Sequence, residues 1–277
     1  LAVPLFRDGL NDPDEEVRLA SIRGLAKVGG TRCISYLLAE VLDVEEAREL
    51  TTYQEALSGL PGPEAMRKVA ATITSAAPPA RKMLMELLAA RRASQYRQAV
   101  FDQTAFTDPE IRLSALTALA HLAEPEDLGA LIRLLLAATE DSHRAAARAA
   151  VVASAIQSPE ATEALIDAVR NANPAPRTVL IAALPGVGGS GALEVVAADT
   201  RSGDPALRDA AVRAMADWPG DGALPALLEV VRGAEAPAHQ EQAMAGYLRI
   251  LNAADISGRE RGNRCEEALK AARRAEE

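Results

Sequence analysis

The side chains most often used in catalysis or metal binding are few in this chain and lie far apart. The histidines are His121, His143 and His239, and the cysteines are Cys33 and Cys265. Structural zinc sites need several closely spaced Cys, His or carboxylate ligands, so this distribution predicts no metal site. The distant cysteines indicate two free, buried thiols. No Ser–His–Asp or Cys–His motif is present, and the sequence therefore predicts neither an enzyme nor a cofactor.

A glycine-rich segment, residues 186–191, precedes a helical pattern and has the sequence Gly-Val-Gly-Gly-Ser-Gly. A phosphate-binding loop needs a strand before it and a Lys-Ser or Lys-Thr pair at its end, and neither is present here. The segment is predicted to be a turn.

One arginine recurs at a fixed place along the chain. We call this set the arginine column, and its members are Arg18, Arg81, Arg112, Arg144, Arg177 and Arg208. The column is open to two interpretations. In the first, the arginines bind an anionic partner. In the second, they form a structural ladder in which each guanidinium bonds an aspartate or a carbonyl of a neighbouring turn. One planar donor per repeat beside an aspartate favours the ladder.

These arginines are positioned by a helix that is repeated throughout the sequence. In the clearest copy, Asp108 and Pro109 provide a start signal, and apolar residues follow at helical spacing. The large apolar residue of each copy recurs every 31 to 33 residues, at Leu25, Leu57, Leu88, Leu119, Val151, Leu184, Met215 and Tyr247. A second apolar helix precedes each copy. This period predicts an all-α fold, an α-solenoid or superhelix of about eight antiparallel helix pairs.

The repeated motif resembles the short bacterial HEAT repeat, which is also found in phycobilin lyases. The residues that carry the resemblance are Asp12-Pro13 with Val17-Arg18, Asp108-Pro109 with Ile111-Arg112, and Asp204-Pro205 with Leu207-Arg208. The resemblance implies stacked helix pairs whose second helices line a concave face. It implies little about function, because the family is defined by stacking and not by a site.

The outward positions of the second helices are the candidate partner-binding residues. They lie one, five and nine residues after the arginine column, and the candidates are Lys82, Glu86, Leu113, Thr117, His121, Asp209, Arg213 and Asp217. This is a mixed surface and not a pocket of one chemistry. The preferred hypothesis is a non-enzymatic interaction or scaffold module that binds an unidentified protein on the concave face.

Two other functions are weighed against this hypothesis. A chromophore-binding accessory lyase of the phycobilin type would need aromatic and acidic side chains around a cavity, and aromatic residues are only 3% of the chain. Nucleic-acid binding through local arginine patches is disfavoured by the formal net charge of −9. No apolar run is long enough for a membrane span.

The whole chain, residues 1–277, is predicted to be one monomeric repeat domain from a longer bacterial protein of the cytoplasm or periplasm. Residues 257–277 are charged and helical in pattern. They are expected to be a terminal cap or the first helix of a further repeat.

Overall fold

The structure, a computed structural model, describes residues 2–233 and 236–276, and every regular element within these ranges is a helix. The first helices of the repeats are α1 (Ala2–Asp8), α3 (Ile34–Glu40), α5 (Pro63–Thr72), α7 (Arg97–Phe101), α9 (Leu128–Ala137), α11 (Pro159–Asn171), α14 (Ser190–Asp199) and α16 (Leu224–Gly233). The second helices are α2 (Glu15–Gly29), α4 (Ala47–Ser58), α6 (Pro78–Ala90), α8 (Pro109–Leu122), α10 (Asp141–Ala155), α12 (Pro174–Leu180) with its continuation α13 (Leu184–Val187), α15 (Pro205–Ala216) and α17 (Pro237–Ala253). A final helix is α18 (Gly258–Glu276). The predicted eight helix pairs are confirmed.

Aspartate caps begin several second helices. The Asp108 carboxylate accepts a hydrogen bond from the Glu110 N–H at 2.8 Å, as predicted for the start of α8. In α2 the cap is Asp14, whose carboxylate accepts a hydrogen bond from the Glu16 N–H, and not Asp12 of the Asp12-Pro13 motif. The Asp12 carboxylate instead accepts a hydrogen bond from the Asp14 N–H at 2.9 Å, so the two aspartates form consecutive turns.

The core follows the predicted register. All eight large residues of the repeated column are no more than 2% exposed. Most of the residues immediately before them are alanine or glycine, and these small side chains let neighbouring helices approach closely. Within each unit, burial of one large and one small column gives a helix pair an apolar side against the next pair.

The chain divides into two compact units. Unit 1 comprises residues 1–124 and 140–146, and unit 2 comprises residues 125–139 and 147–277. In unit 1 the second helices α2, α4, α6 and α8 pack side by side in sequence order. In unit 2, α15 packs against α17, and α16 packs against both α17 and α18.

The glycine-rich segment is the predicted turn. Gly188 and Gly189 have φ values of 68° and 81°, in the left-handed region that glycine adopts readily. They end α13 and lead directly into α14.

The last helix, α18, packs against the final helix pair. Arg232 of α16 forms an ion pair of 2.9 Å with Glu267, and Ala268 of α18 is 1% exposed. Within residues 2–233 and 236–276, no helix combines the length and hydropathy needed to cross a bilayer.

Candidate functional site

Five of the predicted partner-binding residues line one depression in unit 1. We call it the α4–α6–α8 groove, and its volume is about 660 Å³. The predicted residues that line it are Lys82, Glu86, Leu113, Thr117 and His121. Gln54, Arg92 and Glu110 contribute further polar groups, and alanines of α6 and α8 contribute apolar surface.

Helical spacing explains why these side chains share one face. Leu113, Thr117 and His121 lie four residues apart on α8, so they follow one another along the helix. The core residues Ile111 and Leu119 lie on the other side of α8 and are fully buried. The sequence period buries one side of the helix in the core, and the opposite side therefore faces the groove.

Only two of the four described charged side chains of the groove are paired with each other. Lys82 Nζ lies 3.9 Å from Glu110 Oε2. Because the Lys82 side chain is partly exposed and that of Glu110 is mostly exposed, this contact contributes little stability. In the described part of the chain, Glu86, Arg92 and His121 have no side-chain hydrogen bond or ion pair. Two carboxylates and two cations thus surround an apolar floor, with little internal pairing to lose when a partner binds.

Arg92 is a groove residue that the sequence analysis did not identify. Its φ is 48°, and among the described non-glycine residues it alone has a positive φ. The Ala93 N–H bonds the Leu88 carbonyl and the Arg92 N–H bonds the Ala89 carbonyl, both at 3.0 Å. This is the Schellman arrangement that usually has glycine at this place. The sequence signal for the end of α6 is therefore absent, and the helix ends with an arginine beside the groove.

The other three candidate residues lie in unit 2, on α15 and at its C-terminal end, and they are not part of the groove. Arg213 and Asp217 are exposed. The Asp209 carboxylate shares a hydrogen bond with His239 Nε2.

Five members of the arginine column bond a carbonyl or carboxylate in nearby turns. Arg18, Arg81 and Arg112 donate to backbone carbonyls five or six residues before them, at 2.8 to 3.3 Å. Arg144 donates to the Asp141 carboxylate at 2.7 Å. Arg177 donates two bonds to Asp199, at 2.7 and 2.8 Å, and one to the Arg170 carbonyl.

Arg81 is the most enclosed of these five. Its guanidinium lies 4.3 Å from the centre of the Phe106 ring and donates to the Gln103 side chain. Burial lowers the pKa of Arg81 from its ordinary value because the interior disfavours the charged form.

Arg208 departs from the predicted ladder. Its Nε is buried and has no hydrogen-bond partner in the described structure. Two other members of the column have an acceptor at a spacing where Arg208 has none. Gln103 and Asp199 lie 22 residues after Arg81 and Arg177 and accept their hydrogen bonds. The residue 22 positions after Arg208 is Val230, which has no acceptor.

Among the described residues, no group of three or more His, Cys, Asp or Glu side chains is arranged to hold a metal ion. His143, which is buried, shares a hydrogen bond of 2.9 Å with the Pro109 carbonyl through Nε2. Two of the three histidines, His143 and His239, thus have protein partners.

Comparison with known proteins identifies the class of fold. The karyopherin Kap121p, in a complex with the extreme C-terminus of the protein phosphatase Cdc14p, is 16% identical over 98% of this chain and 38% of its own, with a TM-score of 0.54. Kap121p bound to RanGTP is 16% identical over 97% of this chain and 37% of its own, with a TM-score of 0.52. The chain thus spans less than two-fifths of Kap121p, and the fold is a helical-repeat solenoid of this kind.

The repeat type follows from the sequence profile of the HEAT repeat family, which matches residues 2–29. The chain therefore contains a HEAT repeat in its first helix pair, within a fold of HEAT and armadillo type. The phycocyanin lyase complex of CpcE and CpcF from Nostoc sp. PCC7120 is 16% identical over 99% of this chain and 95% of its own, with a TM-score of 0.37. No curated protein matches the chain by sequence.

Proposed function

We propose that the chain is a non-enzymatic interaction module that binds a segment of another protein in the α4–α6–α8 groove. The observation that supports this proposal most directly is that five outward-facing residues of two successive repeats line one groove. The fold supports it further, because Kap121p binds proteins on a solenoid of the same kind, including the C-terminus of Cdc14p.

The composition of the groove favours a peptide segment as its ligand. Leu113 and the small residues Ala89, Ala90 and Ala118 provide apolar surface, while Glu86 and Arg92 offer charges of both signs. Protein interfaces combine an apolar centre with a polar rim in this way. A segment with an apolar residue between an acidic and a basic one would match both the surface and its charges.

A chromophore-binding role has less support. None of the described residues that line the groove is Phe, Tyr or Trp. Planar conjugated ligands bind best where aromatic rings cover their faces, because ring stacking contributes about 1 kcal/mol per pair. The mixed charges of the groove suit a polypeptide better.

A peptide-display selection on the folded chain tests the proposal. Selected peptides are measured by fluorescence anisotropy against the wild type and Thr117→Arg, which adds a long side chain to the groove. Thr117 is exposed, and its hydroxyl only bonds the Leu113 carbonyl of the same helix, so the fold should tolerate the change. The matched control is Ala71→Arg, an equal change at an exposed position of α5 outside the groove.

We expect Thr117→Arg to weaken peptide binding at least tenfold and Ala71→Arg to leave it unchanged. Lys82→Glu should alter the charge preference of the selected peptides. Peptides that bind both arginine variants as well as the wild type would show that the groove is not the binding surface.

A further inference from the structure

A second cavity, in unit 2, is lined by residues that the proposed function does not use. It has a volume of about 390 Å³ and lies among α14, α15, α16 and the start of α17. Its polar lining comprises Thr200, Arg201, Arg208, Glu229 and His239. The rest of the described wall is mainly apolar and includes Val212, Ala226 and Val230.

The position of Arg208 distinguishes this cavity from the rest of the arginine column. In the preceding repeat, the Asp199 carboxylate accepts two hydrogen bonds from the Arg177 guanidinium. At the corresponding place opposite Arg208 stands Val230, and the Arg208 Nε is left buried without a partner. Arg208 lines the cavity and has no described side-chain partner, so an acceptor that enters the cavity can bond its guanidinium as Asp199 bonds that of Arg177.

Among the described lining residues, the arginines outnumber the carboxylates. Arg201 and Arg208 are both without a described side-chain partner, whereas the carboxylate of Glu229 is paired with Arg232 at 2.9 Å. His239 is bonded to Asp209. Two unpaired guanidinium groups therefore line one small cavity in a chain whose net charge is −9.

We propose that this cavity binds the carboxylate of a ligand with a short apolar body, with Arg208 as the principal anion-binding residue. A carboxylate matches the planar donor pair of a guanidinium, as Asp199 does for Arg177 in this same chain. The valine and alanine side chains bury the hydrocarbon part. The carboxylate belongs either to a free small acid or to the C-terminus of a peptide. This site lies in unit 2 and is independent of the α4–α6–α8 groove.

Ligand-observed NMR and calorimetry with hexanoate and benzoate test this site on the full chain. We expect both acids to bind the wild type, hexylamine not to bind, and Arg208→Leu to weaken hexanoate binding at least tenfold. The matched control is Arg213→Leu, which removes an exposed arginine of the same helix outside the cavity and should leave binding unchanged. A short peptide ending in leucine, compared with its C-terminal amide, separates a peptide ligand from a free acid.

A second variant tests the same site without removing Arg208. Val230→Asp introduces a carboxylate where Asp199 stands for Arg177, so it should pair with Arg208 and abolish hexanoate binding in a folded protein. Failure of hexanoate, benzoate and the peptide acid to bind the wild type would overturn the proposal. Equal binding by Val230→Asp and the wild type, or binding of inorganic phosphate in preference to every carboxylate, would also overturn it.

Discussion

At the scale of single residues, the arginine column separates two roles that look identical in sequence. Arg177 and Arg208 occupy equivalent places in successive repeats. Arg177 donates two hydrogen bonds to Asp199, whereas the Arg208 Nε has no hydrogen-bond partner in the described structure. The period predicts the column because the helix register fixes it. It does not predict the exception, since the deciding residue, Val230, lies on another helix, 22 positions away.

This difference predicts unequal effects of the two substitutions on stability. Arg177→Met leaves the carboxylate of Asp199, which is 7% exposed, without its partner, and we expect a loss of about 2–4 kcal/mol in the free energy of unfolding. Arg208→Met removes an unsatisfied donor and should change stability by less than about 1 kcal/mol. Urea denaturation monitored by circular dichroism measures both, and equal losses would contradict the assignment.

At the scale of helices, the ends were harder to predict than the faces. Five groove residues followed from the spacing, because a helix with one buried side must expose the other. The motif does not decide the cap of α2, because Asp12 and Asp14 both accept a backbone N–H near this helix start and only Asp14 caps it. Arg92 was missed because a non-glycine residue in the left-handed region has no sequence signal.

Replacement of Arg92 tests whether the end of α6 is strained for the benefit of the groove. Arg92→Gly should raise the free energy of unfolding by about 1 kcal/mol, because glycine adopts positive φ without a steric penalty. It should also weaken peptide binding, while Arg92→Lys retains the charge and should weaken it less. A variant that is less stable than the wild type, measured by urea denaturation, would refute the strain.

The packing of α17 on α15 depends on the absence of a side chain at Gly246. A Cβ there would lie 2.6 Å from the Ala216 Cα and 2.9 Å from its carbonyl oxygen, and these backbone atoms cannot move independently. Gly246→Ala should therefore destabilise the protein by about 1–3 kcal/mol, although alanine favours a helix by about 1 kcal/mol.

The control for this prediction is Gly262→Ala on α18, where a Cβ would have no neighbour within 4 Å. This change should stabilise the protein by up to about 1 kcal/mol. Thermal unfolding compares the two variants. Equal stability of Gly246→Ala and Gly262→Ala would show that the close approach of α15 and α17 does not restrict the size of the side chain at position 246.

At the scale of the whole chain, the repeat determines the fold but not the function. The period of 31 to 33 residues predicts antiparallel helix pairs, and the structure contains these pairs. Function depends on the outward residues, which the repeat leaves free to vary. The sequence therefore identified a face, while the structure shows that Asp209, Arg213 and Asp217 do not share the groove of the other five candidates.

The central claim, that the α4–α6–α8 groove binds a protein, is tested most directly by photocrosslinking in the cells of origin. A photoreactive phenylalanine analogue is placed at position 117 in the groove or at position 71 on α5, and crosslinked species are identified by mass spectrometry. The account predicts a discrete protein crosslinked from position 117, absent from position 71, and lost when Lys82→Glu and Arg92→Gly are combined. Equal crosslinking from both positions, or none from position 117, would contradict it.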